Sequence, residues 1–423
     1  MATDSPPRST DTGVTSNTTE LRRVLLYAHD TYGLGHLRRN LAIAGRLLRD
    51  RPGLQVVLMT GSSVSERFPI PRGLSLVRLP PVVKIGTESY RPVDPRWGIE
   101  LVRRARSAIM SDVAQRFRPD VFLVDHAPQG MKAELLPVYA TLRSESPATR
   151  IVLGLRDVLD DPDSVQRAWS EQGAYQTLEH VFDRVLVYGT EELFDVVSAY
   201  DLSPVVAAKL TYCGYICRPS GRSSTKPNDI GTFVLGVVGG GGDGTEVLSA
   251  TLAASAGLGV KSLIVTGPLM SETDRLALTR RAALDEGAQV LEFIPDLSDA
   301  MSRAGAVVTM GGYNSLCELV ATGTPTVVVP RIHPRREQLM RSELFAGRGL
   351  ISVVEPGADL AQRLQGALSL ALAAGRRRGP CGLNLSGLDS VDEAVESEAG
   401  LSRASSVVAH RPGVVVSKVR MSA

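Results

Sequence analysis

Short apolar runs recur along this chain, each closed by a glycine or polar turn and followed by a longer segment with apolar residues three and four apart. The first run is VLLYAHD, from Val24 to Asp30. It breaks into the turn TYGLGH, after which Leu37, Leu41, Ala44 and Leu48 fall on one helical face. QVVLMTG, from Gln55 to Gly61, predicts the next strand. Strand, glycine turn, helix and strand together make the repeating unit of a parallel sheet. VFLVD ending at Asp125, IVLGLRD (Ile151 to Asp157) and VLVYG (Val185 to Gly189) extend the series. Runs this continuously apolar and β-branched suit a sheet covered on both faces.

A composition break at RPSGRSSTKPNDIG, Arg218 to Gly231, predicts a linker rich in Pro, Ser and Gly. The pattern then restarts with TFVLGVV, a glycine run, an apolar helix and SLIVTG (Ser262 to Gly267). A helix capped by Ser271 and running to Gly287, strands near Val290 to Ile294 and Ala306 to Met310, and TVVVP (Thr326 to Pro330) follow. Leu360, Leu364, Leu368 and Leu372 form one more amphipathic face. The expected fold class is α/β, with two Rossmann-like, doubly wound parallel-sheet domains facing a cleft at the carboxyl ends of both sheets. The expected boundaries are a disordered tail over 1–20, a first domain over 21–217, the linker over 218–231, a second domain over 232–378, and a weakly structured tail over 379–423.

At 423 residues the chain exceeds a single ordinary core. With 43% hydrophobic residues but only 5% aromatic, its cores must be rich in Leu, Val and Ala. A formal charge of +2 argues against a dedicated nucleic-acid binder. Four cysteines do not make a disulfide scaffold, so a reducing cytoplasm is expected. Cys213 and Cys217 lack a second pair and a nearby His, which favours buried thiols over zinc. No apolar run reaches the roughly 18 residues of a membrane span, and the first twenty residues lack a signal peptide's apolar stretch. Any membrane contact would be peripheral.

Two glycine-bearing segments carry candidate chemistry. GVVGGGGDGTE, Gly236 to Glu246, follows a strand and opens a helix, and its glycines formally satisfy GxGxxG. Glycines let a backbone approach an anion while the helix N-terminus supplies N–H donors; tight packing explains such a turn equally simply. A dinucleotide site would need a carboxylate about 20 residues on, where this chain has Val265, Thr266, Gly267 and Pro268. No Lys-Ser/Thr follows the glycines, which removes the P-loop as well. The second segment runs from Val307 to Leu339. Its strand ends in Gly311-Gly312, a helix starts near Asn314 or Ser315, and Glu318 follows within about a turn. That order sets bare N–H groups beside a carboxylate, suited to a phosphate and a ribose diol. Compensation of the helix-end charge is the plainer role for Glu318.

The run LEFIPDLSDAMSRAGAVVTMGGYNSLCELVATGTPTVVVPR, with REQ at Arg336 to Gln338, resembles the C-terminal domain of glycosyltransferase family 28. That group contains the peptidoglycan N-acetylglucosaminyltransferase and the plant galactolipid synthases. The Gly35-His36 turn is similar to the Gly-His that opens the first helix of the same superfamily's acceptor domain. The resemblance implies the GT-B fold, with an acceptor-side N-terminal domain and a C-terminal domain that binds a nucleotide diphosphate sugar of the UDP class. It further implies inversion at the anomeric carbon, no required metal and no cofactor beyond the donor. By resemblance, Phe293 and Ile294 would frame the base, Glu318 would hold the ribose, and Gln338 with Glu337 would contact the sugar or its phosphates. Gly241, Gly242, Gly311, Gly312, Asn314 and Ser315 complete the expected donor site. The sequence departs from the family where Arg341-Ser342 replaces a common Asn-Ala, and in a first turn poorer in glycine.

Displacing a nucleotide diphosphate needs a base for the acceptor hydroxyl and stabilisation of the leaving group. His36 is the expected base and Asp125, at the same sheet edge, its orienting partner. His126 is the main rival; Asp30 and Asp157 are weaker ones. Arg331, Arg335 or Arg336 could meet the diphosphate, or form a solvated face. The arginines of the helix from Trp97 to Arg118 leave open a peripheral contact with an anionic membrane, against a plain solvated face. No His/Asp/Glu cluster at metal-ligand spacing occurs in the cleft motifs. The acceptor is unidentified by sequence. A nucleotide-sugar 2-epimerase of the same fold and a non-catalytic nucleotide-sugar binder are the competing readings.

Overall fold

The computed structural model describes residues 21–29, 34–86, 89–218 and 233–409. Asp30, the 1–20 tail and nearly all of the expected linker lie outside the described residues.

The N-terminal lobe is built on β1 (Arg23–Ala28), β2 (Gln55–Thr60), β3 (Leu74–Arg78), β6 (Val121–Asp125), β7 (Arg150–Arg156), β8 (Arg184–Tyr188) and β9 (Leu210–Tyr212). These form one seven-stranded sheet in the order β3-β2-β1-β6-β7-β8-β9. Every pairing in it is parallel. β4 (Val82–Gly86) and β5 (Ser89–Pro92) make a separate antiparallel hairpin. In β1, Val24, Leu26 and Ala28 enter one core while Leu25 and Tyr27 enter the core on the opposite face. A strand buried on both sides has no polar face, which is why its sequence does not alternate.

The C-terminal lobe repeats the plan with β10 (Phe233–Val237), β11 (Lys261–Val265), β12 (Ala288–Leu291), β13 (Ala306–Thr309), β14 (Thr326–Val328) and β15 (Ser352–Val353). Their order is β12-β11-β10-β13-β14-β15, again all parallel. The strand order reverses between β1 and β6 in one lobe and between β10 and β13 in the other. Such switch points open a crevice at the carboxyl ends of the strands. The helices that matter here are α1 (Gly35–Arg49), α2 (Ile99–Phe117), α3 (Thr245–Gly257), α4 (Tyr313–Thr322), α5 (Glu337–Gly347), α6 (Leu360–Ala374) and α7 (Gly387–Ala409). No described helix is long and apolar enough to cross a membrane.

One expectation needs correction. Up to residue 409 the segment beyond 379 is not a weakly structured tail: α7 returns to the N-terminal lobe and buries Leu388, Val391, Val395 and Ala399; residues 410–423 lie outside the described residues. Those four follow helical spacing, and each fully buried Leu or Val contributes about 1.5–3 kcal/mol. Arg46 and Arg51 pair with Asp392, and Arg150 and Arg184 with Glu398, which fastens the acidic face of α7. The arginines of the basic helix mostly form the plain solvated face that was the alternative to a membrane contact, with Arg106 as the exception. In α2, Arg106 is fully buried against Glu134, while Arg103 and Arg104 pair with Glu100 and Arg116 pairs with Asp112.

Candidate active site

α1 follows β1 in the chain and has Gly35 and His36 at its start. Across the cleft, the turn after β13 delivers α4. The two helix starts touch, Asn314 Nδ2 donating to the Gly35 carbonyl at 2.9 Å. β6 lies beside β1, so Asp125 at its end comes under His36, whose Nδ1 stands 2.6 Å from Asp125 Oδ2. An ionised carboxylate only accepts, so this short contact fixes the proton on Nδ1 and leaves Nε2 with a free lone pair.

Arg39 completes the arrangement. Its Nη2 donates to both oxygens of Asp125 at 2.7 and 2.8 Å, and its Nε to Oδ1 at 2.9 Å. Burial pushes the Asp125 carboxyl up, but Arg39 and His36 outweigh it and hold the group at about 2. For His36, burial is the largest influence and lowers the imidazole pKa; the charges of Arg39 and Arg156 add to it, and the pull of Asp125 does not reverse it. The ring is therefore neutral near pH 7, as a base requires. Arg39 was not anticipated from sequence, although its place three residues after His36 puts it on the same helical face.

On one side His36 walls a cavity of about 180 Å³ between the lobes. Of the expected donor residues, Gly241, Gly242, Phe293, Ile294, Gly312, Asn314, Ser315, Glu337 and Gln338 line it. Gly241 is required by packing: at φ +93° it lies so close to β11's end that a Cβ would sit 2.0 Å from the Thr266 carbonyl oxygen. Gly311 supports the cavity from behind, since a Cβ there would meet Ser342 Oγ at 2.6 Å. Gln338 Oε1 accepts from the Arg331 amide at 3.0 Å. Burial pushes the Glu337 carboxyl up, yet Arg156, Arg341, Arg335 and Arg331 bring it down to about 2.

Glu318 departs from expectation. It is the sixth residue of α4, not part of its first turn, and does not line the cavity. Both its oxygens accept from Arg38 Nη2 at 3.0 Å, and Oε1 also accepts from Arg218 Nε at 2.8 Å. Of about four acceptor positions on a carboxylate, three are occupied, so it cannot take two ribose hydroxyls in this arrangement. Arg38, absent from the sequence reading, is the member of this pair that reaches the cavity wall.

The rival residues separate cleanly. Asp157 is fully buried, 3.1 Å from Arg341 Nε and 2.9 Å from the Tyr215 hydroxyl that donates to it; it locks the lobes together and is no base. This is what Arg341 does in place of the family's usual residue. His126 stands with its ring 5.0 Å from that of His36, in the left-handed region at φ 71°. It faces a second cavity of about 350 Å³, on the other side of His36. His36, Asp243, Arg331 and Glu337 wall both cavities, so the two meet at His36. Arg331 lines both, Arg335 only the second, and Arg336 neither. Among the described residues no group of three or more His, Cys, Asp or Glu is arranged to hold a metal ion.

Residues 235–358 match the model of the glycosyltransferase family 28 C-terminal domain. An N-acetylglucosaminyltransferase of Histophilus somni, named for UDP-N-acetylglucosamine and a pyrophosphoryl-undecaprenol, is 34% identical over 82 residues, 19% of this chain and 22% of that protein. Its counterpart in Solidesulfovibrio magneticus is 24% identical over 350 residues, 79% of this chain and 86% of that protein. The shorter matches span about a fifth to two fifths of the curated relatives' length. The solved structure of Acinetobacter baumannii MurG superposes with a TM-score of 0.54 at 14% identity, covering 89% of this chain and 99% of that one.

Proposed function

We propose that this chain, a two-lobed GT-B protein whose residues 235–358 are a glycosyltransferase family 28 C-terminal domain, transfers a hexose-type sugar from a UDP-class nucleotide diphosphate donor to an acceptor hydroxyl, with inversion and without a metal. The observation that carries this reading is the position of His36 at the junction of two cavities, with Asp125 behind it.

The donor occupies the cavity between the glycine loop and the start of α4, its diphosphate against the backbone N–H groups near Gly312 to Ser315. A helix N-terminus stabilises negative charge there, and Arg38 and Arg331 on the wall add to it. Phe293 and Ile294 frame the base, and Gln338 and Glu337 meet the sugar. Glu318 lies off the cavity and acts through Arg38, which it holds on that wall. The acceptor enters from the second cavity. His36 Nε2 removes the hydroxyl proton as the oxygen attacks the anomeric carbon, and the bond to the diphosphate breaks with its electron pair on the leaving oxygen. The resulting imidazolium is stabilised by Asp125, which Arg39 keeps ionised and in place.

Thermal shift with a panel of UDP- and dTDP-sugars, followed by product analysis, tests the proposal. Stabilisation by UDP-sugars with transfer to an added acceptor is expected. Conversion of the donor to its 2-epimer without any acceptor would replace the proposal with the epimerase reading, and donor binding with no turnover would leave a binding protein.

A further inference from the structure

We propose that the acceptor carries an aromatic ring, linked through a polar atom to the attacked hydroxyl, and that this ring seats in a third cavity lined by Trp169 and Tyr90. The inference rests on the reading of His36 as the boundary between donor and acceptor.

The third cavity, of about 120 Å³, adjoins the second, since His29, Lys84, His126 and Arg335 wall both. His36 lines the second cavity but not the third, so a ligand that reaches from His36 into the third passes His126. One wall is the helix Pro162–Gln172, on which Val165, Ala168, Trp169 and Gln172 recur at three- and four-residue steps and share a face. Val165 and Trp169 are buried, yet they border this space rather than close it.

Four rings line the cavity: Tyr90, Trp169, His29 and His126. Their neighbours hold them in place. Trp169 has Tyr175 edge-on at 5.6 Å and Tyr200 at 5.9 Å. His29 Nδ1 is 3.2 Å from the Tyr27 hydroxyl, which donates to Glu134 at 2.7 Å, and Arg106 anchors that carboxylate at 2.8 Å. Tyr27 has one proton and gives it to Glu134, so its oxygen accepts from His29 Nδ1–H and fixes that ring. Preformed aromatic walls favour an aromatic guest, because ring pairs gain beyond the area they bury and little ordering is needed on binding. Size agrees: an apolar cavity of about 150 Å³ takes up benzene, so this one admits a single ring and little more.

Charge does not select the guest. Arg335 lies 3.7 Å from Asp160, and Lys84 Nζ stands 5.3 Å from the centre of the Tyr90 ring. Asp160 itself accepts from the Arg336 and Asp161 amides at 2.8 and 3.0 Å, and Gln129 donates to Thr177 at 2.8 Å. The unmet polar atom is at the border of the two cavities, where His126 Nδ1 is buried without a hydrogen-bond partner. Leaving it so is costly. A polar atom between the ring and the attacked hydroxyl passes this point and satisfies it.

The test uses the full chain with Trp97→Phe, saturated with UDP. The chain has two tryptophans, and Trp97 is an exposed residue outside the cavities, so the remaining indole signal is that of Trp169. The probe is 2-phenoxyethanol, in which ring, ether oxygen and hydroxyl stand in the proposed order. Followed by NMR, it should shift both the Trp169 indole and the His36 imidazole saturably, while phenol should shift Trp169 alone. Ala168→Leu fills the cavity from a half-buried helix position and should weaken probe binding at least about tenfold, with UDP affinity unchanged. The proposal is overturned if the Trp169 or the His36 signal does not move, or if Ala168→Leu binds the probe like its parent. It is also overturned if UDP displaces the probe, or if 2-butoxyethanol, with a chain in place of the ring, binds as tightly. Should UDP itself not bind, the donor reading falls, while the same titration of the free chain still decides this inference.

Discussion

Replacing His36 with alanine isolates the proposed base, because its effects on chemistry and on folding can be estimated separately. Asp125 loses one contact, the 2.6 Å bond from Nδ1, but keeps all three from Arg39, so the buried ion pair survives. Loss of one hydrogen bond to a charged group costs about 1.5–3 kcal/mol, against a total stability of roughly 5–15 kcal/mol. The variant should fold. Removal of a general base lowers the rate by about 10²–10⁴, equivalent to roughly 2.7–5.5 kcal/mol in the barrier. Single-turnover transfer at saturating donor reads that loss directly, and calorimetry with UDP should show nearly unchanged affinity. The pH profile adds an independent check. The base works as neutral imidazole, and burial sets its pKa below the ordinary value of about 6.5. Turnover should therefore be flat near neutrality, fall as pH drops through that lowered pKa, and lose this acid limb in His36→Ala. A variant within tenfold of the parent, or one retaining the limb, would refute the assignment and move attention to His126.

Glu318→Ala should weaken UDP binding about tenfold, because Arg38 loses the carboxylate that holds it on the cavity wall; a gain in affinity would mean that the carboxylate only neutralises Arg38 and Arg218. Transfer should persist in excess EDTA, because helix N–H groups, Arg38 and Arg331 are positioned to meet the diphosphate charge; complete loss restored only by Mg²⁺ or Mn²⁺ would contradict this. Leu388→Ala should cost about 2–5 kcal/mol, visible as a lowered melting temperature, since its side chain is buried under α7. An unchanged melting temperature would show that the C-terminal segment does not contribute to the fold.

Two kinds of information were legible in the sequence. Local periodicity gave the central strands of both sheets, because strands buried on two faces must be apolar throughout and the turns between strand and helix need glycine or polar residues; the edge strands β3, β9 and β15, only partly buried, carry no such run and were missed. Motif order gave the cavity between Gly241 and Gln338, because its residues sit on turns at the ends of consecutive strands, where the fold class alone fixes their side of the sheet. His36 and Asp125 were legible for the same reason: each closes or follows a strand at one edge. What could not be read was every relation between residues far apart in the chain. Arg38 and Arg218 occupy Glu318 from positions 280 and 100 residues away, and Arg341 meets Asp157 across the lobes. The four apolar residues of α7 look like a sparse stripe in a polar segment until the N-terminal lobe supplies the surface they cover. A carboxylate's role depends on which cation reaches it first, and a helix's on which groove accepts it. Those are outcomes of packing, and only the tertiary structure decides them.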